Sequence, residues 1–352
     1  MPTRYDVDRA ELAALLDGEP RYRIDQVWRG LYERAVGPDE LTELPKPLRA
    51  RLAEALPPAL EPALRSTSDD GDTVKWLWRL DDGAHIETVL MHYDDRSTVC
   101  VSTQAGCAMA CGFCATGQAG FERNLSVGEI VEQVQRASAA ATADRGRRLS
   151  NVVFMGMGEP LANYDRTWTA VERLHGEVGL SARHLTVSTV GIVPGIRRLA
   201  AEALPVNLAV SLHAANDALR NELVPINKRY PLDALAVACH DYLAAKNRRL
   251  SFEWALIDGV NDRHRDAVEL ADFARSLRAH VNLIPLNPTP GYTTRGSSPA
   301  RVRAFRDDLR ALGANATVRQ NRGTSIDAAC GQLRATHDVA VALTVKPRPD
   351  PA

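Results

Sequence analysis

Residues 106–115 read Gly106-Cys-Ala-Met-Ala-Cys-Gly-Phe-Cys-Ala115 and set three of the chain's six cysteines, Cys107, Cys111 and Cys114, in a Cys-x3-Cys-x2-Cys run on one short loop. Three thiolates ligate three irons of a cubane cluster, so the fourth iron stays open to a ligand that is not protein. Zinc takes thiolates at similar gaps, but a structural zinc wants four closed ligands, usually two separated Cys-x2-Cys pairs. No second pair follows here, the nearest downstream histidine is His175, and Cys100 is the nearest additional thiolate. From spacing, an iron-sulfur cluster is the leading reading, with zinc as the alternative.

The flanking sequence sets the compartment. The chain opens Met-Pro-Thr-Arg-Tyr-Asp-Val-Asp, without an apolar signal run, and nowhere reaches the ~20 apolar residues of a membrane span. A reducing cytoplasm is therefore expected, with cysteines used for chemistry rather than as a disulfide framework.

Outward from the loop, the pattern predicts an α/β protein. Residues 8–55 carry helical periodicity until Pro57, Pro58 and Pro62 interrupt it. Three strand-like segments follow, near 75–80, 86–93 and 98–102, and lead into the cysteine loop. Ser126-Val-Gly-Glu129 is a capping box that opens a helix. Beyond it, candidate strands at 151–155, 184–188, 206–212, 250–257 and 280–285 alternate with helical stretches such as 231–245 and 263–278. Such alternation implies a parallel sheet with helices outside and ligands at the C-terminal strand ends. Gly156-Met-Gly-Glu159 falls at such an end, where glycine lets a cofactor approach and a carboxylate accepts from its amino group. Taken alone, Cys100, Cys239 and Cys330 read as small buried apolar residues, and Glu87 as a strand glutamate facing water.

The three-cysteine loop resembles that of radical S-adenosylmethionine (SAM) enzymes. Glu87-Thr-Val89, Cys100-Val-Ser102, Gly117-Gln-Ala-Gly-Phe-Glu-Arg-Asn-Leu125, Met155-Gly-Met-Gly-Glu-Pro-Leu161, Ser211-Leu-His-Ala214 and Val224-Pro-Ile-Asn-Lys228 look like the RlmN/Cfr group of RNA adenine methyltransferases within it, a likeness running to about residue 335. The resemblance implies a partial (β/α)6 radical SAM barrel over 100–335, a small N-terminal helical domain over 1–64, a short β extension over 65–99 and a tail over 336–352. It implies a [4Fe-4S] cluster on Cys107, Cys111 and Cys114, and two SAM molecules per turnover, bound through Gly158, Glu159, Ser188, Ser211, Leu212, His213 and Asn287. It further implies that Cys330 carries a methyl group as S-methylcysteine, that Cys100 resolves the product by forming a disulfide with it, and that Glu87 accepts a proton. Cys239 matches no role in the group and is assigned to packing.

The substrate implied is carbon 2 of an adenine in the peptidyl-transferase centre of 23S rRNA and of the adenine 3′ of some tRNA anticodons, with carbon 8 as the group's other outcome. A flavodoxin-like one-electron donor is expected, and neither a membrane nor DNA as partner. A radical SAM activase or maturase would share the loop without needing Cys100 and Cys330, and a non-catalytic zinc or RNA-binding module would need no open iron. A formal charge of −1 and a pI near 6.8 give no bulk attraction to polyanions, so RNA binding requires charge segregation. Residues 295–334 hold 8 Arg against 3 Asp, whereas residues 1–64 hold 9 Lys or Arg against 12 Asp or Glu. Arg123, Lys228, Arg229, Arg319 and Arg322 are the candidate phosphate contacts.

Overall fold

The chain opens with three helices, each burying apolar residues on one face. The helix α1 (Arg9–Leu15) is opened by a capping box between Asp8 and Glu11, α2 (Tyr22–Tyr32) buries Val27, Trp28, Leu31 and Tyr32, and α3 (Lys46–Ala55) starts with a proline in its first turn. The computed structural model describes residues 2–68, 70–286 and 294–319. In it, the helical segment does not stand apart. Its apolar residues join one continuous core with those of the following sheet, and polar contacts lock the seam. Gln135 donates to the carbonyls of Leu31 and Tyr32 at 2.8 and 2.9 Å, and Trp28 Nε1 donates to Glu177.

A ten-stranded sheet follows, made of β1 (Glu61–Thr67), β2 (Thr73–Arg79), β3 (His85–His92), β4 (Ser97–Cys100), β7 (Asn151–Phe154), β8 (Leu185–Thr189), β9 (Asn207–Ser211), β10 (Leu250–Leu256), β11 (His280–Pro285) and β12 (Asn315–Val318), in that spatial order. The first four are antiparallel neighbours and every pairing from β4 onward is parallel. Helices α5 (Val127–Arg145), α6 (Tyr164–Gly176), α7 (Val193–Ala201), α9 (Leu232–Lys246), α10 (His264–Ser276) and α11 (Pro299–Ala311) make the crossovers. These are the six strand–helix units of the expected partial barrel, followed by a seventh parallel strand, β12, that periodicity did not pick out. The other unforeseen strand of this sheet, β1, straddles the boundary expected at 64/65. Pro62 had read as a break, but a proline is tolerated on an edge strand, and the register slips beside it between Pro62 and Leu64.

The cysteine loop is held by its own ribbon. Strands β5 (Gln104–Gly106) and β6 (Phe121–Asn124) pair antiparallel, and the short α4 (Ala115–Gln118) lies between them. Gly106 has φ +76°, and a Cβ there would meet the Gly120 carbonyl oxygen at 2.0 Å, so the neck of the loop admits only glycine. Beyond the ribbon, α8 (Asp217–Leu223) sits in the crossover between β9 and β10.

Register sets what faces the barrel interior. Lys75 lies opposite Val89, Val89 opposite Cys100, Cys100 opposite Val153 and Val153 opposite Thr186, a single row across five strands. Val89, Met91 and Cys100, with Tyr93, Val153 and Met155 against them, form a small apolar cluster separate from the core beneath the helices.

Candidate active site

The three loop cysteines are held by main-chain bonds. The Cys107 amide donates to Gly120 O at 2.8 Å, that of Cys114 to Cys111 O at 3.1 Å, and that of Gln118 to Cys114 O at 3.1 Å. Ala110, with φ +52°, turns the chain between the first two. Burial pushes the Cys107 thiol up to about 11, with Cys114 and Glu159 adding to the shift, and pushes Cys111 up to about 12, with Cys114, Cys107 and Glu159 adding. The three sulfurs therefore lie within electrostatic reach of one another, in surroundings that penalise thiolates unless a cation compensates them. Among the described residues no three His, Cys, Asp or Glu side chains are drawn together as around one metal ion. A cubane cluster does not require that, because each thiolate binds a different iron. The donor set fits the cluster.

Phe113, between the second and third cysteines, meets the His213 ring edge-on at 4.5 Å and so ties the loop to the C-terminal end of β9. His213 adopts φ +60°, and its Nδ1 accepts from the Ala255 amide at 2.9 Å. Burial lowers its pKa to about 3, keeping the ring neutral.

The end of β7 is equally constrained. Gly158, at φ +100°, leaves no room for a Cβ, which would stand 2.5 Å from that of Gln104. Glu159 donates its amide to Gln104 Oε1 at 2.8 Å, while its carboxylate accepts from the amides of Leu161 at 3.0 Å and Val190 at 2.8 Å, bridging the ends of β7 and β8. Ser188 Oγ donates to Phe154 O. Arg220, fully buried on α8, donates to the carbonyls of Leu212 and Val190, so the Ser188–Gly191 and Ser211–His213 segments share one clasp.

Burial raises the Glu159 carboxyl from its ordinary 4.5 to about 7, against the opposing backbone donors. The folded chain thus holds this proton more tightly than the unfolded one. Its stabilising contribution is complete below about pH 4.5 and disappears as pH rises through about 7, a difference of about 3 kcal/mol. Chemical denaturation of the cluster-free protein should show that slope between pH 5 and 8, and Glu159→Gln should flatten it; an equal slope in the variant would show that the proton belongs elsewhere.

Glu87 and Cys100 occupy the interior face. Glu87 is not the solvent-facing residue its strand position suggests: it is 2% exposed, and Lys75 Nζ lies 3.0 Å from its Oε2. Cys100 is buried in the apolar cluster beside it. Cys330, Asn287 and Arg322 lie outside the described residues. Cys239 is fully buried within the core beneath the helices, in keeping with a packing role.

The candidate phosphate contacts separate. Arg123 is consumed by Glu129 and Asp82, which leaves it poorly suited to phosphate. Lys228 and Arg229 are exposed, whereas Arg319 is half-buried. In the basic C-terminal stretch, Arg301 and Arg310 donate to the backbone carbonyls of Asp262 and Ala316, and Arg306 pairs with Asp307. That part of the positive count is spent locally. Phe113, Arg220, Gln104 and Lys75 are site residues that sequence reasoning passed over.

Comparison with known proteins gives a consistent result. Residues 101–271 match the radical SAM superfamily model. A probable dual-specificity RNA methyltransferase RlmN of Chloroflexus aurantiacus is 53% identical over 350 residues, covering 95% of this chain and 93% of its own. The dual-specificity RNA methyltransferase RlmN 1 of Myxococcus xanthus is 52% identical over 339 residues, 94% of each chain. The crystal structure of a radical SAM methyltransferase from Sphaerobacter thermophilus superposes with a TM-score of 0.91 at 52% identity, covering 95% of this chain and 100% of that one.

Proposed function

Because the chain belongs to the RlmN family of radical SAM RNA methyltransferases, we propose that it places a methyl group on carbon 2 of adenine in 23S rRNA, at the peptidyl-transferase centre, and in tRNA, 3′ of the anticodon. Cys107, Cys111 and Cys114 would hold the [4Fe-4S] cluster. The Gly158 backbone, Glu159, Ser188, Ser211, Leu212, His213 and Asn287 would hold SAM. An adenine carbon between two ring nitrogens has no lone pair with which to take a methyl cation, so direct polar transfer fails.

The Cys330 thiolate instead attacks the methyl carbon of a first SAM, forming a sulfur–carbon bond as the sulfonium bond breaks and S-adenosylhomocysteine leaves. When bound, the cluster and a second SAM supply the one-electron chemistry that removes a hydrogen atom from that S-methyl group. The carbon on Cys330 then bonds to adenine carbon 2, joining protein and RNA. Glu87 takes the ring proton, and the Cys100 thiolate attacks the sulfur of Cys330; the carbon–sulfur bond breaks toward the RNA, a proton from water completes the methyl group, the odd electron left by the radical addition returns to the external electron carrier, and a disulfide remains for an external thiol to reduce. A flavodoxin-like protein serves as electron donor. No helix among the described residues is long and apolar enough to cross a membrane, and a cytoplasmic setting suits a ribosomal substrate. Flipping the base out of its stack brings it to the interior face.

The observation that carries this reading is the shared face: Glu87 lies two residues from Val89, the residue opposite Cys100 in the antiparallel pair. Anaerobic incubation of the cluster-loaded chain with SAM deuterated in its methyl group and with 23S rRNA and tRNA transcripts tests it. Labelled 2-methyladenosine in both RNAs is expected from mass analysis of nucleosides; 8-methyladenosine, or no label in RNA, overturns the assignment.

A further inference from the structure

Among the described residues, Lys75 and Glu87 form the one ion pair with both side chains buried. Both side chains are buried, at 0% and 2% exposure, with Nζ and Oε2 3.0 Å apart. They stand on the interior face of the sheet, Lys75 directly opposite Val89 and Glu87 two residues along from it, beside the apolar cluster that contains Cys100. The Glu87 main chain is also anchored. Its carbonyl accepts from Ser102 Oγ at 2.6 Å, and the same hydroxyl accepts from the Met157 amide at 3.0 Å, so the strand carrying Glu87 is tied to the turn that presents Gly158 and Glu159.

Such a pair is a weak device for stability. Removing two charges from water offsets most of their attraction, and apolar residues of similar volume would fill the same space at least as well. Its position is better matched to chemistry. A carboxylate in an apolar pocket needs a compensating charge and a fixed direction, and a lysine anchored on the neighbouring strand supplies both.

Resting on the proposed function above, we propose that Lys75 is a positioning residue for the proton-transfer step, holding the Glu87 carboxylate in one orientation, aimed at the adenine carbon. In that step the hydrogen on carbon 2 of the covalent adduct leaves as a proton to a Glu87 oxygen. Its electron pair stays with the adduct, Glu87 becomes a neutral acid and Lys75 keeps its proton, so no oxidant or reductant enters. Lys75 then matters for resolving the adduct and not for forming it.

The test compares K75M, K75R, E87Q and K75M/E87Q in the cluster-loaded full chain, following methylated RNA, the protein–RNA adduct on denaturing gels and methylation of Cys330 by peptide mass. K75M should methylate Cys330 normally, accumulate the adduct and turn over about 100-fold more slowly, while K75R recovers most of the rate. The double variant, which leaves no unpaired buried charge and so guards against a folding failure of K75M, should be no slower than E87Q alone. Wild-type turnover by K75M, loss of the adduct together with turnover, or a double variant far slower than E87Q would overturn the proposal. Absence of adduct and product from the unmodified enzyme would end the proposed function with it, whereas a wild-type adduct unaffected by K75M ends this inference alone.

Discussion

Cys111→Ala should empty the chain of its cluster: anaerobically reconstituted protein falls from about four irons per chain to a small residue, and RNA methylation drops by at least about 10⁴-fold. Burial pushes the Cys111 thiol further up than that of Cys107, with Cys114, Cys107 and Glu159 adding to the shift. Losing it removes one of three irons' anchors, and the remaining two thiolates cannot hold a cubane open at the fourth iron. The fold should survive, because the loop is held by main-chain bonds from Cys107 to Gly120 and from Gln118 to Cys114, which an alanine does not disturb. Cys239→Ala is the matched control. Its thiol is equally buried but lies in the core beneath the helices, so it should cost about 1 kcal/mol of stability and leave iron and activity in place. Iron analysis and visible absorption of the two variants, side by side, decide the matter: iron retained at wild-type level by Cys111→Ala would remove that thiol from the ligand set.

The difference between these two cysteines was legible in the sequence, since three thiols within eight residues say more than one thiol on an apolar helix. Other parts of the site were not legible, and the reasons are physical. In an open barrel both faces of the sheet are enclosed, one by helices and one by the opposite wall, so a period-two polar residue such as Lys75 in Thr73-Val-Lys-Trp-Leu-Trp marks the interior and not solvent. Glu87 was misjudged as exposed for the same reason. Phe113 and His213 are a hundred residues apart, and only the return of β9 to its place in the sheet brings their rings together. Strand β1 was masked by Pro62 and β12 by its four-residue length.

Arg220 is the clearest of the missed residues, and its loss should be felt in two measurements at once. Asp217-Ala-Leu-Arg-Asn-Glu-Leu223 has the polarity of a surface helix, yet Arg220 is 0% exposed. Its Nε donates to Leu212 O at 3.1 Å, Nη1 to Asn227 Oδ1 at 2.7 Å, and Nη2 to Val190 O at 2.6 Å. Burial lowers its pKa only to about 10, so the guanidinium stays charged at neutral pH. Arg220→Met fills the volume but removes a donor from four acceptors, the carbonyls of Leu212, Val190 and Ser211 and Asn227 Oδ1, of which Leu212 O keeps the Ala214 amide; each lost bond is worth about 1–3 kcal/mol and they are not additive. A net loss of about 3–5 kcal/mol is expected from denaturant unfolding. The second effect is specific. Val190 and Leu212 belong to the turns after β8 and β9 that carry the proposed SAM contacts, so the cluster-loaded variant should bind SAM at least about 10-fold more weakly, even at temperatures where it is fully folded. Arg220→Lys can reach at most one or two of these acceptors with a single ammonium, and it should fall between the two. A variant that unfolds early but, while folded, binds SAM as tightly as the wild type would assign Arg220 to stability alone and leave the turn after β8 to be positioned by Glu159.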